Sequence, residues 1–240
     1  MDALIDVRSL CFRYDDGTVA LDGVDFQLYP GETVAIFGAN GSGKTTFVLH
    51  LNGLLMGGGA ITICGNAVNK QNLSRVREKV GVVFQDSEMQ LFMPTVLEDV
   101  AFGPLNLGLS REEASERALE ALKQVGMSGC AARAPYHLSA GEKKRVAVAG
   151  ILAMRPEILV LDEPTTFLDP PGQRSLIELF ESLPQAKILV THDVECARAL
   201  AHRAVFFEKG RIRGEGSVED IVARFNWDRT VIRRPTSSRH

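Results

Sequence analysis

Two separate stretches of this chain have the make-up of phosphate-binding elements. GANGSGKTT, Gly38 to Thr46, reads as glycine, four residues, then Gly-Lys-Thr. In that pattern glycines allow a tight turn whose backbone N–H groups face phosphate oxygens. Gly38, Ala39, Asn40, Gly41, Ser42 and Gly43 would form the cradle, and Lys44 would reach the β and γ phosphates. The Thr45 hydroxyl suits Mg²⁺, and Thr46 is placed for the α phosphate. The second stretch, HLSAGEKKRV at His137 to Val146, sets Ser139 and Gly141 at the start of a helix-like run. Unpaired N–H groups at a helix N-terminus attract anions. The plainer alternative is a serine N-cap ahead of an acidic first turn.

Phosphate chemistry with Mg²⁺ also needs a carboxylate. Ile158-Leu159-Val160-Leu161-Asp162-Glu163 offers two, directly after four apolar residues. Ligands gather at the C-terminal edge of strands in open α/β sheets. Asp162 is therefore expected to hold Mg²⁺ through water, and Glu163 to act on an attacking water as general base. One nucleotide cannot be enclosed by both phosphate elements if they lie on different lobes of one chain. A second copy turned by a two-fold axis would set each P-loop against the other's Ser139–Gly141.

The elements that must position these groups follow from hydrophobic pattern. LIDVRSLCFRY and VALDGVDFQLY read as strands around a DDGT turn, and ETVAIFG as a strand entering the glycine loop. TTFVLHLNGLL reads as a helix, MGGG as a turn, and AITIC as a short strand. Between Asp86 and Arg155 the signals turn helical. Ser110 and Glu113 form a capping box, behind which Ala114, Ala118, Ala121, Leu122 and Val125 recur at helical spacing. From Glu157 the α/β rhythm resumes with EILVLDE, RSLIELFESL, KILVTHD, VECARALA, RAVFFEKGRIRGEG and VEDIVARFNW. The near-continuous runs ILVL and ILV suit strands of a parallel sheet buried on both faces.

Bulk properties narrow the class. A net charge of −3 argues against nucleic acid or anionic membrane as a partner. Four scattered cysteines without a CxxC pair argue against a zinc site or disulfide framework and fit a reducing cytosol. MDALIDVRSL lacks the build of a signal peptide. Val146 to Met154, the longest apolar candidate, falls far short of the roughly 20 residues a spanning helix needs. A soluble protein is expected.

P-loop, LSAGE and LVLDEP in this order resemble the ATP-binding subunit of an ABC transporter, over nearly the whole chain. The resemblance implies an α/β P-loop NTPase fold: a RecA-like core with N-terminal antiparallel β strands, plus an inserted α-helical subdomain. Residues 1–85 and 156–228 would form the nucleotide-binding core, 86–155 the helical subdomain, and 229–240 a basic tail. It implies ATP and Mg²⁺ as ligands. Tyr14 would stack on adenine, with Val19 in the same nucleotide-binding set. Gln85 would touch Mg²⁺ and the attacking water, Asp169 would cross a dimer interface, and His192 would lie near the γ-phosphate. Three departures stand out. The signature, usually LSGGQ, here carries Ala140 and Glu142, and Phe167 replaces a small residue. Glu142 brings an acid toward the partner's nucleotide, which Lys143 or Lys144 is expected to offset.

Val82 to Ser110, VVFQDSEMQLFMPTVLEDVAFGPLNLGLS, resembles the energy-coupling-factor branch, and EKKRVAVAGILAMRPE its cobalt and nickel members. That likeness implies a homodimer, with a heterodimer of sister ATPases left open, on the cytoplasmic face of a membrane. An integral membrane energy-coupling subunit would dock near Gln85–Asp99, with Asp86, Glu88, Glu98 and Asp99 as an acidic rim. Met89, Leu91, Phe92 and Met93 would face it, or alternatively pack as core. Catalysis would rest on Glu163, His192, Gln85 and Lys44. The five histidines, His50, His137, His192, His202 and His240, form no metal-ligand pattern, so a separate membrane component would bind the ion. Biotin or another vitamin, and a soluble assembly ATPase, remain alternatives.

Overall fold

The run Ile158–Leu161 offers no polar face to solvent, so the strand it forms must be covered on both sides. The structure, a computed structural model, describes residues 2–86 and 90–228. Its elements in order are β1 (Ile5–Arg13), β2 (Val19–Leu28), β3 (Thr33–Phe37), α1 (Lys44–Leu51), β4 (Gly58–Ile63), β5 (Asn66–Ala67), α2 (Leu73–Lys79) and β6 (Val80–Val83). There follow α3 (Val96–Asn106), α4 (Arg111–Gln124), α5 (Ala140–Leu152), β7 (Ile158–Asp162), α6 (Pro170–Ser182), β8 (Ala186–Val190), α7 (Val194–Leu200), β9 (Arg203–Glu208), β10 (Arg211–Gly216) and α8 (Val218–Phe225).

Six strands form one sheet in the order β10-β9-β3-β8-β7-β6, parallel from β9 to β6 and closed by the antiparallel β9–β10 hairpin. The other four form an antiparallel sheet, β2-β1-β4-β5. Alternation along β7 divides the interior. Ile158 and Val160 join a core shared with the smaller sheet and α1, whereas Leu159 and Leu161 join one beneath the later helices. Val34 and Ile36 against Ala35 and Phe37 repeat that division on β3. The larger sheet is thus sandwiched, as its unbroken apolar runs require. Among the described residues no helix is long and apolar enough to cross a membrane.

Local signals place most boundaries. Ser110 Oγ accepts from the Glu113 N–H at 3.2 Å, while Glu113 Oε2 accepts from the Ser110 N–H at 3.0 Å. Behind this box Ala114, Ala118, Ala121, Leu122 and Val125 are all buried. They pack with α3 and α5 in a core that runs on into Val83, Leu159 and Leu161 of the sheet. Three boundaries differ from the sequence pattern. α1 ends at Leu51 because the Leu54 and Leu55 N–H groups turn back to Leu49 O. β4 takes in Gly58, which pairs with Cys11. α6 starts at Pro170, where two prolines occupy first-turn positions whose N–H groups have no intrahelical partner anyway. Glu88, Met89 and the basic tail 229–240 lie outside the described residues.

Leu122 is fully buried where α3, α4 and α5 meet the sheet. Leu122→Ala should cost roughly 2–5 kcal/mol, read as a lowered urea midpoint at constant slope. A change inside about 0.5 kcal/mol, the scale of a surface substitution, would contradict this packing.

Candidate active site

Between β3 and α1, Gly38 to Gly43 form a loop pressed against its neighbours. Gly38 has φ +146, and a β-carbon there would lie 2.3 Å from Phe207 O. Gly43 has φ +108, and its β-carbon would lie 2.5 Å from Ala20 O. Only glycine fits either place. The Gly210 N–H, in the turn of the β9–β10 hairpin, donates to Ser42 O at 2.9 Å and so supports the loop from below. Ala39, Asn40, Gly41 and Thr45 are exposed along its outer rim.

Lys44 Nζ donates to Gly38 O at 2.6 Å and Ala39 O at 3.0 Å. Burial lowers its pKa, opposed by the carboxylates of Glu163 and Asp162. Ser42 Oγ is buried without a hydrogen-bond partner. A glycine cradle, an orphaned hydroxyl, a lysine and two carboxylates make a donor set that fits a magnesium-bound nucleotide phosphate. The Thr46 hydroxyl is turned to Tyr14, with 2.9 Å between the two oxygens. Tyr14 is held edge-on to Phe12 at 5.0 Å and remains 40% exposed, a ring free on one face. Val19 is exposed at the start of β2.

The carboxylates sit where β7 ends. Asp162 pairs with Val190 of β8. Burial and the Glu163 charge raise its pKa, while Lys44 and Lys144 work in the other direction. Glu163 adopts φ +47, a left-handed conformation that carries strain for a residue with a side chain. Its N–H donates to Val190 O at 2.8 Å, so the strained turn is tied to the sheet. Glu163 Oε2 then lies 2.8 Å from His192 Nδ1 and 3.4 Å from both Thr191 Oγ1 and the His192 N–H. Lys44, Asp162, Glu163 and His192 are therefore drawn together.

The remaining predicted residues stand elsewhere. Gln85 is exposed just past β6, its carbonyl accepting from Lys144 Nζ at 2.6 Å. Asp169 caps α6, with Oδ1 accepting from the Gly172 N–H at 3.0 Å. Phe167 has φ +67 and is 79% exposed. Ser139 caps α5: its Oγ accepts from the Glu142 N–H at 3.3 Å, and its own N–H donates to Glu142 Oε2 at 2.8 Å. Within one chain the contacts of this serine are those of the N-cap, its N–H and hydroxyl both bonded to Glu142. Among the described residues no hydrogen bond or ion pair joins 139–142 to the loop 38–46. Ala140 is not among the positive-φ residues, so its methyl sits without backbone strain.

Glu142 pairs with Arg133, whose Nη1 reaches Glu142 Oε1 at 3.0 Å, while Lys144 turns inward to Gln85. Bonds from the Ser139 N–H and hydroxyl, then from Arg133, hold the Glu142 pKa below its ordinary value. The sequence alone did not mark Arg133 or Thr191, and it set Lys144 against Glu142 and not beneath Gln85. None lies in a pattern that marks its partner, although a second lysine in the first turns of α5 was visible.

Fold and site together define a P-loop ATPase with two carboxylates at a strand edge. The ABC transporter family model matches residues 21–166. The energy-coupling factor transporter ATP-binding protein EcfA of Methanothermobacter thermautotrophicus is 49% identical over 237 residues, 96% of this chain and 75% of that one. The structure of cbiO1 from Clostridium perfringens, part of the ABC transporter complex cbiONQ, superposes with a TM-score of 0.84 at 35% identity, covering 94% and 92% of the two chains. The dimeric ATP-binding cassette MJ0796 bound to ADP and Pi gives 0.79 at 29% identity, covering 89% and 98%. The chain belongs to the ABC transporter family, as an ATP-binding subunit whose hydrolysis of ATP powers transport.

Two outcomes follow from the carboxylates. Glu163→Gln should retain ATP binding and lose about 10²–10⁴-fold in turnover, the scale of a general base; near-normal kcat would remove Glu163 from that role. Asp162 binds its proton more tightly folded than unfolded, so stability falls as pH rises through its raised pKa. Asp162→Asn should then raise the thermal midpoint at neutral pH, by roughly 2–4 °C per kcal/mol regained. The gain should shrink as the buffer approaches the carboxylate range, and a lowered midpoint at neutral pH would contradict the cause.

Proposed function

We propose that the chain works as one half of a two-fold homodimer and drives an energy-coupling-factor importer for cobalt or nickel ions from the cytoplasmic face of a membrane. The single observation that carries the transport reading is a groove of about 470 Å³ between α3, α5 and the segment at Gln90. Leu91, Phe92, Phe102, Gly103 and Ile151 give it apolar walls. Asp99 adds a buried carboxylate: Oδ1 accepts from the Phe92 and Met93 N–H groups at 3.0 and 3.1 Å, while Oδ2 has no partner. An apolar helix carrying one cation would fill this space and satisfy that oxygen. An integral membrane energy-coupling subunit is the occupant proposed, with a separate membrane component binding the cargo. The cobalt or nickel assignment rests on the stretch after the signature, EKKRVAVAGILAMRPE, which resembles the cobalt and nickel members of this branch.

In the dimer, Ser139 and Gly141 of each chain would complete the other's phosphate site. This accounts for two phosphate elements that do not touch within one chain. Lys44 leaves the Gly38 and Ala39 carbonyls for the terminal phosphates, and Tyr14 offers its free face to the base. Thr45, Asp162 and Gln85 would hold Mg²⁺, which neutralises phosphate charge when bound. Glu163 takes the proton of the attacking water. His192, already paired with it, orients the carboxylate. Asp169, at the start of α6, stands ready to meet the partner chain.

The test is capture from gently solubilised membranes with tagged Glu163→Gln in Mg-ATP, with and without Phe102→Glu. A multi-spanning protein should copurify, and the Phe102 change should remove it while ATP binding persists. Recovery of soluble proteins alone would defeat the transport reading. In the same material Ser139→Arg should abolish turnover yet leave nucleotide binding by the single chain intact; full turnover would defeat the shared site.

A further inference from the structure

Where the chain leaves β6, an edge strand, its backbone is gripped by side chains from two sides. From one side comes Gln90. Its Oε1 accepts from the Phe84 N–H at 3.1 Å, and its Nε2 donates to Val82 O at 3.2 Å. One side-chain amide thereby occupies the pairing positions that a further strand would use. From the other side, Lys144 Nζ donates to Gln85 O at 2.6 Å and reaches Phe84 O at 3.5 Å.

Lys144 is an unusual residue to find here. It is only 2% exposed, and a buried ammonium is costly unless its surroundings satisfy it. They do so with the two carbonyls and with the charges of Asp86 and Asp162. Its four-carbon stem projects from α5, the helix that Ser139 caps. Gln90, for its part, lines the groove together with Leu91, Phe92 and Asp99. The peptide at Phe84–Gln85 is thus tied at once to the signature helix and to the groove wall.

We infer that Lys144 and Gln90 act as a two-sided clamp that positions Gln85, passing displacement of α5 or of the groove wall to the Gln85 backbone. Both are positioning residues, since neither touches a reacting atom. The inference rests on the proposed role of Gln85 at the metal and the attacking water. It adds the means by which two distant surfaces set that residue's place. Loss of Gln90 frees the Phe84 N–H and Val82 O with the P-loop and Asp162 untouched, so its effect belongs in kcat and not in nucleotide affinity. Loss of Lys144 frees the Gln85 carbonyl and also removes a counter-charge from Asp162.

The experiment compares Lys144→Met, Gln90→Leu, Gln85→Ala and the Gln90→Leu/Gln85→Ala pair in the full chain. It measures kcat, KM for Mg-ATP, equilibrium binding of a fluorescent ATP analogue and the thermal midpoint. Lys144→Met and Gln90→Leu should each lower kcat by roughly 10–100-fold, the usual cost of losing an outer-shell support, with KM and analogue affinity unchanged in Gln90→Leu. The double variant should be no slower than Gln85→Ala alone, because both changes act through one residue. If Lys144→Met fails to fold, Gln90→Leu and its pair with Gln85→Ala carry the same comparison, leaving α5 intact. Wild-type kcat in both single clamp variants, or losses that multiply in the double, would overturn the clamp with Gln85 still in place. Full turnover in Gln85→Ala would instead remove Gln85 from hydrolysis, which defeats the underlying reading and takes the clamp with it.

Discussion

Two neighbouring carboxylates at the end of a strand buried on both faces are the demand around which this protein is arranged. Like charges repel, and loss of water makes each harder to ionise. Asp162 bears that cost directly in its raised pKa. Lys44 and Lys144 are the counter-charges acting on Asp162, one from the phosphate loop and one from α5. Glu163 turns through a left-handed conformation, which brings its carboxylate to His192 at the edge of the site. Phosphate loop, signature helix and histidine strand are therefore linked through one patch of negative charge, although they are far apart in sequence.

The sandwich of sheets serves the same end. Because both faces of the larger sheet are covered, β7 and β8 have little freedom, and the Glu163 N–H can be fixed to Val190 O. A strained turn persists only where its surroundings determine it, and a two-sided core provides that constraint.

How far the sequence carried these conclusions depended on whether a feature was local. GANGSGKTT and ILVLDE are contiguous, and each brings its chemistry and its structural setting together. The Ser110–Glu113 box and the alanine spacing behind it were equally plain, since helix capping and burial repeat at fixed intervals. What stayed hidden were pairings across elements. Arg133 with Glu142 spans a turn of no regular period, and Lys144 looks like a solvated cation until α5 is laid against β6. Gln90 has nothing beside it to say that its amide will complete a strand edge. The helix capped by Ser139 carries the same box motif as Ser110, and within one chain its contacts are those of the cap.

The support beneath the phosphate loop reaches an unexpected part of the surface. The turn at Lys209–Gly210 joins two strands at the sheet's end, the kind of site where domains ordinarily accept insertions. Here the Gly210 N–H carries Ser42 O, and the Asp22 N–H donates to Gly210 O at 2.9 Å. A peptide grafted into that hairpin would not behave as a passive label. It would lift the floor on which Gly43 and Ser42 rest, and a surface insertion would be felt at the phosphate loop.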